Sequence, residues 1–271
     1  MKQSGRRIKT VFSKDIGELT SNPMVLVPMI IVPVIICVFL PVLMTVLVLV
    51  YGANAMNGAD MIMDIIAEYP VPGHILLDED KLMWFFMNFV FIPLFLIVPL
   101  MCSIIIVTNG IIGEKERKTL ETLLLTPISN REFILAKLLA GFIPAFCISA
   151  GGFALFSATV TILYNVFRGY GIIAWGNWLA VVLLLSPGIS VLGLAIALFS
   201  SLKAKSFMEA QQVSVLVVLP LIAVLMGQLF GVLVLNLAAI IIGAAALALL
   251  DWLLLYRVLP RFTRESIISL L

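Results

Sequence analysis

The chain has 271 residues, 62% of them hydrophobic and 12% charged, with a mean hydropathy of +1.19. Soluble domains are about half apolar and about a quarter charged, so this composition excludes an ordinary soluble globule and points to an integral membrane protein. The formal net charge of +2 says little about partners, whereas the placement of the 17 Lys and Arg residues along the chain says a great deal.

Residues 4–20 place Ile8, Val11, Phe12, Ile16 and Leu19 along one side of a helix, opposite Arg6, Arg7, Lys9, Lys14, Asp15 and Glu18. This pattern predicts an amphipathic helix in the membrane interface, with its basic side toward anionic lipid. A signal-peptide reading, with Ala53-Asn54-Ala55 as cleavage site, conflicts with an apolar run about twice the usual length. Ser21 or Asn22 can cap the next helix with Pro23 at its first position, and Met24 to Val50 is then a first span containing Pro28, Pro33 and Pro41.

Residues 52–81 form the longest polar connection, with Asp60, Asp64, Glu68, Asp78, Glu79 and Asp80 against the single base Lys81. Met61, Ile62, Ile65 and Ile66 suggest a short helix there, and His74, beside Pro72-Gly73, reads as a loop residue rather than a ligand. The second span runs from about Leu82 to Ile112 and the third from about Glu132 to Phe167. Both exceed the ~20 residues a bilayer needs, so they should tilt, kink or project.

Between these two spans lies a charged stretch, Gly113 to Lys137, reading GEKERKTLETLLLTPISNREFILAK. A segment so polar reads as a water-exposed connection. Leu120, Leu123 and Leu124 give it a short amphipathic helix, Pro127 ends that helix, and Ser129 with Glu132 has the spacing of a capping box for the next. A solvated loop needs no such break-and-restart shape, which favours a docking element.

Gly169 to Asn177 is a short turn flanked by Tyr170, Trp175 and Trp178, residues that favour membrane interfaces. Trp178 to Leu202 is a fourth span, followed by Lys203 and Lys205. Gln212 to Leu229 is a fifth, and Val232 to Tyr256 a sixth, joined by a tight turn in which Gly227 and Gly231 permit the bend. Of the 17 bases only Lys81 and Arg168 fall on the side opposite the rest, so the positive-inside rule puts both termini in the cytoplasm and the acidic loop outside.

The chemistry-bearing residues are few. Cys37, Cys102 and Cys147 fall in apolar runs, His74 is the sole histidine, and no Walker loop occurs, so neither a metal cluster nor a nucleotide site is expected. Asp251, a little over a turn before Tyr256 and Arg257, is the one acid near the interior of a span; it reads as an interfacial anchor paired with a nearby base, with ion coupling the lesser alternative. Walls of Leu, Val, Ile and Phe suit an amphiphilic or lipid-like substrate. Asn109, Ser149, Ser157, Thr159, Thr161 and Gln228 leave the substrate open.

Six spans, the basic amphipathic N-terminal helix, the stretch Glu114 to Lys137 and the ending Arg257 to Glu265 together resemble the permease subunit of ABC-2 type ABC transporters. The resemblance implies an all-α integral membrane protein: one permease domain over 1–271, with an interfacial helix (4–20), an outer loop (52–81) and a cytoplasmic coupling segment (113–130). It implies a multi-pass protein of the cell membrane. Its partners would be a cytoplasmic ATPase subunit carrying ATP and Mg, a second permease subunit, identical or paralogous, and membrane lipid, with no cofactor and no nucleic acid.

Glu114, Glu116, Arg117, Thr119, Glu121 and Pro127 would then couple the ATPase to the spans, assisted by Arg6, Arg7, Lys9 and Phe12 of the N-terminal helix. The turn between the fifth and sixth spans is too short for the outer re-entrant segment of many relatives, and the modest 52–81 loop departs from sodium-exporting ones. The readings competing with an ATP-driven exporter are a self-sufficient secondary transporter or channel, and a non-transporting scaffold that recruits a soluble partner.

Overall fold

The computed structural model describes residues 2–52, 59–67, 69, 71–116, 130–204 and 206–258. Among them the regular structure is entirely helical. Six helices are long and apolar enough to cross a membrane: Val25–Val50, Asp78–Gly113, Glu132–Phe167, Trp175–Ser201, Phe207–Leu229 and Leu237–Arg257, the first to sixth spans below. Two further helices matter, α1 (Lys2–Ser21) before the first span and α2 (Ala59–Ile66) after it. The expected set of spans is therefore present, with second and fourth spans starting a few residues earlier than hydropathy suggests and the sixth starting later, at Leu237. Residues 117–129 lie outside the described residues, and with them Arg117, Thr119, Glu121, Pro127 and the Ser129 half of the expected capping box.

The spans kink where their prolines require it. A proline has no N–H to give residue i−4 and its ring crowds that carbonyl, so the turn before it widens. The wide, π-helical turns Ile35–Phe39, Phe86–Val90 and Val181–Leu185 each contain the residue four before a proline, namely Cys37 before Pro41, Phe89 before Pro93 and Leu183 before Pro187. In the fifth span Pro220 stands four residues after Leu216, where helix Phe207–Val215 stops before Val218–Leu229 begins. A fourth wide turn, Asn109–Gly113, has no proline near it.

The second span is the axis of the bundle. In it 83% of the apolar stretch is buried, against 22% in the first span, 12% in the fifth and 11% in the sixth, whose outward faces are left to lipid or to another chain. It packs chiefly on the third and fourth spans. Phe95, Phe153 and Phe156 meet Trp178 with ring centroids 4.6–5.5 Å apart, and the Trp178 indole N–H donates to the Met87 carbonyl at 3.2 Å. Trp178 is thus a fully buried core residue rather than a member of the interfacial belt expected for it, because its N–H finds a partner within the protein. Trp175, by contrast, is half exposed. Gly193 of the fourth span faces the Leu100 carbonyl and the Ser103 hydroxyl, so closely that a β-carbon there would collide with both.

Candidate functional site

At the end of the bundle where α1 lies, a charged cluster joins three elements that are far apart in sequence. Along α1 the residues Val11, Asp15 and Leu19 recur every four positions, so they share one face, and all three are buried. This face packs mainly on the start of the third span. The buried stripe of a helix with so many charges therefore centres on a carboxylate. Opposite it, the Lys137 ammonium lies 2.7 Å from Asp15 Oδ1 and 3.1 Å from Glu114 Oε1. Lys14 reaches the same Glu114 oxygen at 2.6 Å and Glu18 at 3.5 Å.

Lys137 and Glu114 are each only about 2% exposed in their side chains. The two ends of the charged stretch are therefore buried against protein, not solvated as a water-exposed connection requires. Pairing is what permits it: each buried charge meets an opposite one within hydrogen-bonding distance. The wide turn Asn109–Gly113 makes the room. Lys137 lies along the second span over Gly110, where a β-carbon would be in ordinary contact with the ammonium at 3.5 Å. The ammonium also stands 5.6 Å from the centre of the Phe133 ring, one turn back on its own helix.

The carboxylates of Asp15, Glu18 and Glu114 converge within 4.8 Å of one another, and the ammoniums of Lys14 and Lys137 occupy that convergence. Burial pushes the Asp15 carboxyl above its usual range, and Lys137 pulls it back only partly. For Lys14 burial acts downward, but the hydrogen bond and charge of Glu114 outweigh it and the ammonium is raised. Arg7 reaches Glu132 at 3.8 Å, so Glu132 meets α1 as well. Asn22 adds a bond of 3.5 Å to Asn109.

Of the coupling residues named from the sequence, Glu114 lies at the centre of this cluster, and only the helical backbone of Glu116 is described. Arg7 joins the edge, Phe12 is half-buried on α1, and Arg6 and Lys9 are exposed. Sequence reasoning missed Asp15, Lys14 and Lys137 as a unit. The available signal was the spacing of Asp15, four residues from both Val11 and Leu19, which puts it on the buried face and not on the charged side expected for it.

A second cluster closes the opposite end. Arg168, at the end of the third span, reaches Glu79 at 2.8 Å and Asp80 at 3.2 Å at the start of the second. Tyr164 donates to Asp80 at 3.4 Å, and Tyr170 donates to its other oxygen. Burial and the Asp80 carboxylate push the Tyr170 phenol up to about 12. Gly52, at the end of the first span with φ of 72°, brings its backbone against Glu79, where a β-carbon would be 2.8 Å from the carboxylate. His74 is an exposed turn residue, its ring against Tyr170 and its Nε2 3.2 Å from the Gly171 carbonyl, as a loop role predicts.

Asp251 departs from its expected pairing with Arg257. Six residues at about 100° each put the two on different sides of the helix. Asp251 turns inward, 6% exposed, against Gly188 of the fourth span, while Arg257 is exposed.

The profile described as "ABC-2 family transporter protein" matches residues 49–247, well over half of the chain. No curated protein and no solved structure gives a significant match. The membrane domains of this family ordinarily carry no nucleotide-binding site or cofactor of their own and generally pair with an ABC ATPase. Six long apolar helices, together with a family match that runs from the end of the first span into the sixth, lead to one conclusion: the chain belongs to the ABC-2 transporter family, as its multi-pass membrane component.

Proposed function

We propose that the chain is the permease subunit of an ATP-driven exporter, working as a pair of permeases in the cell membrane, with a separate cytoplasmic ATPase docked at the α1 end. The distribution of bases supports placing that end in the cytoplasm. The observation that carries the coupling reading is the bond from Lys137 to both Asp15 and Glu114. It fastens α1, the end of the second span and the start of the third into one body, so a push on the segment between Glu116 and Asn130 reaches two spans and α1 together. Buried, mutually paired charges hold that geometry more firmly than solvated ones, because breaking a pair leaves a charge in a poor dielectric.

In this reading Glu114 holds the lever to the bundle, while Glu116, Arg117, Thr119 and Glu121 present the charged surface the ATPase recognises and Pro127 separates the docking helix from the third span. The pair of permeases finds its contact surface among the exposed apolar faces of the first, fifth and sixth spans. The experiment is purification of the tagged full chain from its native membrane in mild detergent, followed by mass identification and an ATPase assay in liposomes. An ATP-hydrolysing partner at near-equal stoichiometry is expected, its recovery reduced by reversing the charges of Glu116 and Arg117. Transport by the chain alone in liposomes would replace this reading with a self-sufficient carrier.

A further inference from the structure

The second, fourth, fifth and sixth spans line a partly open cavity of about 250 Å³. Its walls are almost wholly apolar and include Pro93, Leu96, Ile189, Leu221, Gly243 and Leu247. A dry apolar cavity of about 150 Å³ already accepts a benzene ring, so this one has room for a hydrocarbon group. Gly243, Leu247 and Asp251 follow one another at intervals of four on the sixth span and therefore share one face. Leu247 lines the cavity. Asp251 does not itself line the cavity, but it follows Leu247 by one turn on the same face.

Gly188 faces that carboxylate across the fourth and sixth spans. A β-carbon on Gly188 would lie 3.5 Å from Leu247 Cβ and 3.8 Å from Asp251 Oδ2, so the acid and the cavity wall meet over the same bare backbone. Asp251 Oδ1 has no hydrogen-bond partner, and no base among the described residues pairs with the side chain. The residue lies six positions before Arg257, about 9 Å along the helix axis, and so inside the span rather than at its end. A buried carboxylate without a counter-charge is costly in a membrane protein, and its presence here is accounted for by a cation that visits.

We propose that this cavity and Asp251 form a binding site for an amphiphile with an ammonium head, its hydrocarbon part between the four spans and its charge against Asp251. A bare metal ion would leave the apolar cavity without a role and would find a single carboxylate for its shell. An anionic or neutral amphiphile would leave the carboxylate uncompensated. As the substrate class of the exporter, the assignment rests on the function proposed above, whereas binding at the site does not.

The test is equilibrium binding to the full chain in nanodiscs of zwitterionic phosphatidylcholine, with decyltrimethylammonium, 1-decanol, decyl sulfate and sodium ion as probes. Saturable binding of decyltrimethylammonium is expected, with 1-decanol and decyl sulfate weaker and sodium ion unable to compete. Loss of one charge-assisted contact should weaken it about tenfold or more in Asp251→Asn. Asp251→Glu should keep binding, and Leu247→Trp, which fills the cavity and leaves the carboxylate, should lose it; thermal unfolding identifies any variant that has failed to fold. Equal affinity for 1-decanol and decyltrimethylammonium, or unchanged binding in Asp251→Asn, overturns the site. If binding holds but a co-purified ATPase is not stimulated by decyltrimethylammonium, the substrate assignment falls and the site stands. If no ATPase co-purifies, it is the exporter reading that falls, and the binding result still judges the site.

Discussion

The Lys137 ammonium lies 2.7 Å from the Asp15 carboxylate, joining residues 122 positions apart and both almost fully buried. Removing one partner of a buried pair costs far more than neutralising a charge that keeps a hydrogen bond, because the remaining charge is stranded. Lys137→Met leaves Asp15 and Glu114 facing each other, so it should lose about 3–5 kcal/mol and release α1 from the third span. Asp15→Asn still accepts from Lys137, which keeps Glu114, and should cost about 1 kcal/mol. Thermal unfolding in detergent, with a spin-label distance between α1 and the third span, measures both. Equal effects of the two substitutions would remove the pair from its central place.

The pH response of the α1 contact follows from the two shifted groups beside Lys137. Asp15 is raised above its ordinary value of 3.8, first by burial, so its contribution is greatest below that value and is lost as pH rises through the raised one. Lys14 is raised above 10.5; burial opposes the shift and Glu114 more than restores it, so its contribution is present below 10.5 and lost above. Acid should therefore tighten the α1 contact through Asp15, that gain being lost as pH rises through the raised Asp15 value, and a second loosening, from Lys14, should come only above 10.5. Asp15→Asn should remove the acid-side gain alone, and Lys14→Met the alkaline loss alone. The same spin-label distance followed across pH decides it, and release of α1 in mild acid would contradict the assignment.

At the opposite end, Arg168 is the base that faces Asp80, which is fully buried. Arg168→Gln should cost about 3 kcal/mol, the lower end for a broken buried pair since the guanidinium is partly exposed. Tyr170→Phe removes one hydrogen bond to the same carboxylate and should cost about 1–2 kcal/mol. The phenol, pushed up to about 12, remains a donor throughout the neutral range; its contribution is intact below its ordinary value of 10 and lost as pH rises through about 12. Unfolding temperatures of the two variants at neutral and alkaline pH test the order. Tyr170→Phe at or beyond the cost of Arg168→Gln would reverse it.

Two glycines between spans should respond differently to alanine. At Gly193 the added methyl meets the Ser103 hydroxyl and, at 3.1 Å, the Leu100 carbonyl of the neighbouring backbone, which cannot rotate away. At Gly141 it meets the Leu194 side-chain end and, at 2.8 Å, that of Val107. Gly193→Ala should lose about 1–3 kcal/mol by overpacking, and Gly141→Ala less, since rotamer shifts there can relieve the crowding. Thermal unfolding of the two variants compares them directly.

The sequence by itself determined that six stretches are long and apolar enough to cross a membrane, because about twenty consecutive apolar residues have few other stable settings. Pro41, Pro93 and Pro187 also mark three of the wide turns, since each removes a specific backbone bond, whereas Pro99 and Pro144 lie within unbroken helix and the wide turn Asn109–Gly113 has no proline. The charged stretch further showed which family the chain resembles. The sequence could not determine how the charges meet. Asp15 and Lys137 each read as one more solvated charge until α1 is folded onto the third span. Trp178 read as interfacial because only packing with Phe95, Phe153 and Phe156 shows that its N–H is satisfied inside. Asp251 was legible as an oddity, but its direction was not: helical phase separates it from Arg257, and it faces Gly188, more than 60 residues earlier. Hydropathy is a local property written in consecutive residues, whereas pairing of buried charges depends on which faces meet, and that was decided by the tertiary structure alone.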